Sequence, residues 1–176
     1  MHEDIDRILF TEDEIKQRVA EIGAGITQDY KDDPDGVILI SVLRGAAIFM
    51  ADLARQIQLP CEMDYMAVSS YGTGTKSSGV VRILKDLTSN IEGRHVIVVE
   101  DIVDTGESIE YMICDLKAQK PASLEVCTLF FKPGSYRKQI PIKYRAMEIG
   151  NEFIVGYGLD YDQLGRSLKD IYVVTE

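Results

Sequence analysis

An α/β fold with a mainly parallel central sheet flanked by helices is predicted by two strand–turn–helix units and by the near-absence of polar residues in their strands. In the first unit VILISV (Val37–Val42) is short, apolar and rich in β-branched residues, as a strand buried on both faces should be. In the second, VIVVEDIVDTGES runs from an equally apolar strand through a turn into a helix predicted over 108–118. Alternation of this kind favours right-handed crossovers, and ligands should gather where the C-terminal ends of the strands open into loops.

The remaining elements follow in chain order. Thr11 and Glu14 make a capping box, and Ile15, Val19, Ile22 and Ile26 fall on one face, which predicts an amphipathic helix over 11–30. Asp32, Asp33, Pro34, Asp35 and Gly36 form a turn into the first strand. After Leu43, Arg44 and Gly45 comes AAIFMADLARQI, where Ile48, Leu53 and Ile57 suit a helix packed on that strand. Residues 61–70 alternate loosely and end in YGTGTKSSG, which leads into VVRILKDL, so two strands joined by a mobile loop are expected. Further strands are predicted at 124–131, 145–149 and 171–174.

Composition narrows the class. With 176 residues, 45% hydrophobic and 27% charged, the chain suits one globular domain and not a disordered one. A formal charge of -10, from 29 acidic against 19 basic side chains, has the wrong sign for a protein held by nucleic-acid phosphates or anionic lipid. Neither nucleic acid nor membrane is therefore an expected partner. Cys61, Cys114 and Cys127 are odd in number and far apart, which fits a reduced compartment better than a disulfide scaffold or a zinc site. MHEDIDRILF has no basic n-region or long apolar stretch, so a cytoplasmic protein is expected.

Glu100 and Asp101 carry the first chemical signal. They close a strand expected to be buried on both faces, where unpaired carboxylates cost several kcal/mol. A divalent cation or sugar hydroxyls would offset that cost, since hard Mg²⁺ prefers oxygen ligands. Asp104, Thr105, Gly106, Glu107 and Ser108 then offer consecutive main-chain N–H groups, two hydroxyls, a tight turn and a helix N-terminus, which is what a phosphate monoester needs. A plainer alternative is that the acids cap a strand and DTGES caps a helix. YGTGTKSSG is not a phosphate loop of the G-x-x-x-x-G-K-S/T kind, because only Thr75 separates Gly74 from Lys76, and it precedes a strand and not a helix.

VIVVEDIVDTGES resembles the phosphoribosyl-pyrophosphate (PRPP) signature of the type I phosphoribosyltransferases, and the chain is similar to the hypoxanthine and hypoxanthine-guanine members over nearly its whole length. The resemblance implies one domain over 1–176, with a core at about 11–157 and a small hood from about 1–10 and 158–176. It implies a 5′-phosphate site at Asp104, Thr105, Gly106, Glu107 and Ser108, and a ribose and metal site at Glu100 and Asp101. Leu43, Arg44 and Gly45 resemble the family's pyrophosphate loop, which tends to hold a cis peptide and usually carries lysine where this chain has Arg44. Arg166 would join Arg44 and Gly45 at pyrophosphate. Ser70 and Tyr71 match the pair in the family's closing lid, and Lys132, Phe153, Ile154 and Asp160 match its purine site, Asp160 also as a second magnesium ligand. Glu107 departs from relatives that carry lysine or a neutral residue, and it should point outward while its N–H meets the phosphate.

The activity so implied is transfer of the phosphoribosyl group to N9 of a 6-oxopurine, with Mg²⁺ as cofactor. Asp104 would be the catalytic residue, a general base near purine N7; His2 lies at the chain terminus and His95 starts a strand. Lys132 has donors only, so it suits the O6 of hypoxanthine or guanine and opposes the amino group of adenine. A homodimer or homotetramer is expected, with AAIFMADLA as one apolar helix able to supply an interface. Alternatives are a transferase for xanthine or uracil, an RNA-binding regulator on the same fold, and a catalytically silent PRPP sensor. The segment FIVGYGLDYD argues against the first, the lack of a Lys/Arg cluster against the second, and Asp104, Lys132 and Arg166 together against the third.

Overall fold

The computed structural model describes residues 5–71 and 80–174. In chain order they form β1 (Ile5–Phe10), α1 (Glu12–Asp29), β2 (Val37–Val42), α2 (Ala47–Ala54), β3 (Cys61–Tyr71) and β4 (Val80–Lys85). There follow β5 (His95–Val103), α3 (Glu107–Ala118), β6 (Ser123–Phe131), β7 (Tyr144–Glu148), β8 (Ile154–Val155) and β9 (Ile171–Val174). Six strands make one sheet in the order β4-β3-β2-β5-β6-β7, while β1, β9 and β8 make a second with β9 in the middle. Within the large sheet the β3–β4 pair is antiparallel and the others are parallel. This is the mainly parallel α/β architecture with a small hood that the sequence predicts.

All residues of β2 are buried, and they alternate between two cores. Val37 and Leu39 face α1 and α2, whereas Ile38, Ile40 and Val42 face α3. A strand enclosed on both sides in this way has no solvent-facing side, which is why VILISV is apolar at every position but the buried Ser41. The first core also takes in Ile154, Tyr157, Leu159, Ile171 and Val173, so the hood packs on the α1/α2 side. Phe10 of β1 stacks on Phe130 of β6 with ring centroids 5.8 Å apart.

The start of α1 is closed by a complete capping box: Glu14 N–H donates to Thr11 Oγ1, and Thr11 N–H donates to Glu14 at 2.8 Å. Asp170 accepts a further bond from Glu12 N–H at 2.7 Å, tying the hood to the helix. In α2 the buried residues are Phe49, Met50 and Leu53; Ile48 is 37% exposed, contrary to the expected face. The helix ends at Ala54, so Ile57 is buried from the turn beyond it. An eight-residue helix that is apolar nearly all round has no periodicity to reveal its inner face. β1 and β8 also carry little pattern: β1 is half exposed and β8 has two residues, and both exist as partners of β9.

Asp64 on β3 fixes the path from β4 back to β5. It is 4% exposed and accepts bonds from the N–H groups of Tyr65, Thr88 and Ser89 at 2.7–2.8 Å. Burial alone would raise its carboxyl, but the amides of Ser89, Tyr65 and Thr88 outweigh it and lower the pKa from 3.8 to about 2. A depressed carboxyl stabilises the fold above its unfolded pKa and loses that contribution as pH falls through its folded one. Asp64→Asn should therefore cost about 2 kcal/mol near neutral pH. Denaturant melts of both proteins should show the gap closing as pH falls from about 4 to about 2.

Candidate active site

The parallel strands deliver their C-terminal ends to one edge of the sheet, and β2 and β5 lie at its switch point, where crossovers leave in opposite directions. A cleft of about 290 Å³ opens there, lined by Leu43 and Gly45 after β2, by Glu100 and Asp101 in β5, and by the loop from Asp104 to Ser108. Lys132 follows β6, and Phe153 precedes β8. His95 sits at the opposite end of β5, between Asp33 at 2.9 Å and Ser123 at 2.6 Å, so it takes no part in this cleft.

Glu100 and Asp101 stand where the strand alternation inverts. Up to Val99 the even positions of β5 face α3, but beyond the acids Ile102 joins the first core and Val103 the second. β6 inverts alongside: Leu129 and Phe130 both enter the first core, and the Thr128 hydroxyl, opposite Glu100, donates to the Phe130 carbonyl at 2.8 Å. Irregularities of this kind redirect side chains next to functional sites.

The result is a pair of carboxyls that lack a cation in close contact among the described residues. Burial first, and then the Asp101 charge, raises the Glu100 carboxyl well above the usual range. Burial also raises Asp101, while the Ile102 amide and the Arg166 guanidinium pull it part of the way back. Among the described residues no cluster of three His, Cys, Asp or Glu side chains is poised around a metal, and Asp160 is engaged elsewhere. Arg166 binds Asp160 at 2.7 Å and the Gly158 carbonyl at 2.8 Å. Asp160, Asp162 and Asp170 all lie near Arg166 in sequence, and the folded turn pairs it with Asp160.

Two glycines bring the walls of the cleft into contact. A Cβ on Gly45 would overlap the Asp101 carboxylate, and a Cβ on Gly158 would overlap the Gly45 carbonyl. The acid of β5, the loop after β2 and the turn after β8 are thus stacked with no side chain between them. The Leu43–Arg44 peptide is cis, and Arg44 is exposed.

Across the cleft, α3 begins one residue earlier than expected, with Gly106 as its N-cap at φ 89°. No side chain caps it, which disposes of the reading of DTGES as an ordinary capping sequence. The contrast with the doubly closed start of α1 is chemical: the main-chain N–H groups around Gly106 are left for an acceptor from outside. Thr105, Glu107 and Ser108 are exposed beside them.

Lys132 meets Asp104 at 3.6 Å and the Glu152 carbonyl at 3.4 Å, with its side chain 12% exposed. Phe153 is 47% exposed, with the Tyr161 ring edge-on at 5.7 Å, whereas Ile154 is buried. Ser70 and Tyr71 end β3 opposite Val81 and Val80. Their side chains, and residues 72–79 of the expected lid, lie outside the described residues.

This chain matches the family described as "Phosphoribosyl transferase domain" over residues 8–162. It belongs to that family. Among similar proteins, a Mycobacterium avium hypoxanthine-guanine phosphoribosyltransferase is 48% identical over 172 residues, which is 96% of this chain and 85% of the relative. A Haemophilus influenzae hypoxanthine phosphoribosyltransferase is 45% identical over 162 residues, 92% of this chain and 90% of the relative. The crystal structure of a Staphylococcus aureus hypoxanthine phosphoribosyltransferase superposes with a TM-score of 0.93 at 41% identity, covering 99% of this chain and 94% of that one.

For this phosphoribosyltransferase, sequence reasoning missed the contact of Gly158 with Gly45 and a bond from the Tyr157 hydroxyl to Asp52 at 2.6 Å. The signal available was GYG within FIVGYGLDYD: a bulky residue between two glycines marks a backbone bent into the left-handed region, and Tyr157 has φ 47°.

Proposed function

We propose that this phosphoribosyltransferase moves the 5-phosphoribosyl group of PRPP to N9 of hypoxanthine, and of guanine, releasing pyrophosphate in purine salvage. The observation that carries the reading is the juxtaposition of Lys132 and Asp104 at 3.6 Å. A 6-oxopurine presents O6 and N7 side by side on one edge. An ammonium suits the first and a carboxylate accepts the proton of the second. Adenine would turn its amino group towards the same ammonium.

The other roles belong to the same proposal. The open start of α3, from Asp104 to Ser108, takes the 5′-phosphate on main-chain amides, and Glu107 remains at the exposed rim. Glu100 and Asp101 receive the ribose hydroxyls and hold Mg²⁺, with Asp160 as a further ligand. Two adjacent carboxyls at a buried strand end are the hard oxygen donors that ion prefers. When bound, the metal supplies positive charge at the departing pyrophosphate. Arg44, the Gly45 amide and Arg166 add charge and donors there, Arg166 by exchanging its bond to Asp160. Phe153 offers its exposed ring to the base, and the backbone at Ile154 offers polar groups to its edge. Ser70 and Tyr71 belong to the lid that excludes water.

We take the whole chain, residues 1–176, as one cytoplasmic domain, with the core expected at about 11–157 and the hood at about 1–10 and 158–176; the pairing of β8 (Ile154–Val155) with β9 moves the second boundary a few residues earlier. Its first core is shared by both sheets. We also infer a homodimer or homotetramer, to which the exposed Ile48 of α2 contributes apolar surface.

Incubating the protein with PRPP, Mg²⁺ and each of hypoxanthine, guanine, xanthine, adenine and uracil tests the substrate class. Pyrophosphate release is expected with hypoxanthine and guanine and essentially none with adenine or uracil. Turnover of adenine at a comparable rate would remove the Lys132 argument.

A further inference from the structure

The turn that follows β8 is anchored through one side chain. Tyr157 lies at φ 47° between Gly156 at 116° and Gly158 at 104°, a conformation that side-chain-bearing residues adopt only when the surroundings hold them. Its N–H donates to the Leu168 carbonyl at 2.8 Å, and its ring is 7% exposed. Its hydroxyl donates to Asp52 Oδ2 on α2 at 2.6 Å, across 105 positions of sequence. Burial first, and then the bond to Asp52, pushes the phenol far above its usual range, so the hydroxyl stays a donor.

This bond closes a ring of contacts. From Gly45 the chain enters α2 and reaches Asp52; the hydrogen bond crosses to Tyr157; the next residue is Gly158; and Gly158 lies against the Gly45 carbonyl. One side of the ring carries the loop assigned to pyrophosphate, and the other the segment 153–160 assigned to the base. We propose that the Tyr157–Asp52 hydrogen bond is a positioning device that sets the distance between base and leaving group. This rests on the function proposed above. Tyr157 and Asp52 line a separate cleft of about 260 Å³ with Lys16, Val19, Arg55 and Gln56, and neither lines the cleft between β2 and β5. They therefore act through the backbone they hold.

The second cleft makes the idea testable without unfolding the protein. If the hydroxyl is removed, Asp52 stays hydrated there and the ring stays buried, so the fold survives while the register loosens. A shift of the order of 1 Å in reacting groups costs up to about a hundredfold in rate, and a tenfold loss corresponds to part of that. Tyr157→Phe should lower kcat with hypoxanthine about tenfold, with KM for PRPP within about twofold, because only the pyrophosphate end of PRPP meets the ring while its 5′-phosphate is held at α3 outside it. Thermal melting should move by no more than about 3 °C, the effect of roughly one kcal/mol in a chain of this size. Asp52→Ala should match Tyr157→Phe, the double variant should be no worse than either, and Asp52→Asn, which keeps an acceptor, should recover activity to within about threefold of the parent. Unchanged kcat in Tyr157→Phe, or losses that multiply in the double variant, would overturn the proposal. The unsubstituted protein in the same assay keeps the two readings apart: its failure to turn over would instead sink the activity itself.

Discussion

Asp104→Asn should lower kcat by about a hundredfold while leaving the binding of PRPP nearly intact, the loss expected when a positioned base is removed and its loop is kept. The carboxylate is half exposed at the cleft and 3.6 Å from Lys132. An amide fills the same space but cannot take a proton. The main-chain groups around Gly106 that are proposed to grip phosphate are untouched, so equilibrium binding of PRPP should change little while turnover collapses. Asp104→Ala should behave alike in rate, because it too lacks an acceptor for the proton. Steady-state rates with hypoxanthine, set beside direct titration with PRPP, separate the two effects. Full activity in the Asn variant would send the proton elsewhere.

The second large effect is expected at Gly158. Alanine there would push its methyl into the carbonyl of Gly45, and the backbone at φ 104° is one that alanine rarely adopts. Neither strain is relieved by a flexible side chain swinging away. The turn must move off the loop after β2, which costs on the order of 3 kcal/mol and separates the groups assigned to base and pyrophosphate. Melting should fall by roughly 6–12 °C, and kcat by more than about a hundredfold. Calorimetry and the pyrophosphate-release assay read these independently. An alanine variant with parental stability would show that the close approach of the two glycines does not persist in solution.

What the sequence could announce was local. Thr11 and Glu14 specify their capping box because both partners lie within one turn, and β2 has its predicted ends because a doubly buried strand is apolar at every position but Ser41 and is bounded by turn residues. The stretch from Glu100 to Ser108 was legible as part of a cleft for a related reason: acids at the end of an apolar strand and a glycine turn into a helix are adjacent in sequence, and the structure has them line one cleft. The inner face of α2 was not legible, since nearly every residue there is apolar and Ile48 looks as buriable as Phe49. Nor were the long-range pairs. Arg166 has Asp160, Asp162 and Asp170 nearby in sequence, and only the folded turn selects Asp160. Two-residue β8 is a strand solely by virtue of its neighbour. Tyr157 and Asp52 share no pattern at all until the hood is laid on α2.

The arrangement of the small sheet bears on biosynthesis. β9 is its central strand, pairing with β1 on one side and β8 on the other, yet it is the last of the strands to leave the ribosome. A nascent chain can assemble β2, β5 and β6 and with them the acids and the open start of α3, while β1 waits for a partner that has not been made. The half of the cleft proposed for ribose and phosphate is thus complete in the growing polypeptide before the half proposed for the base.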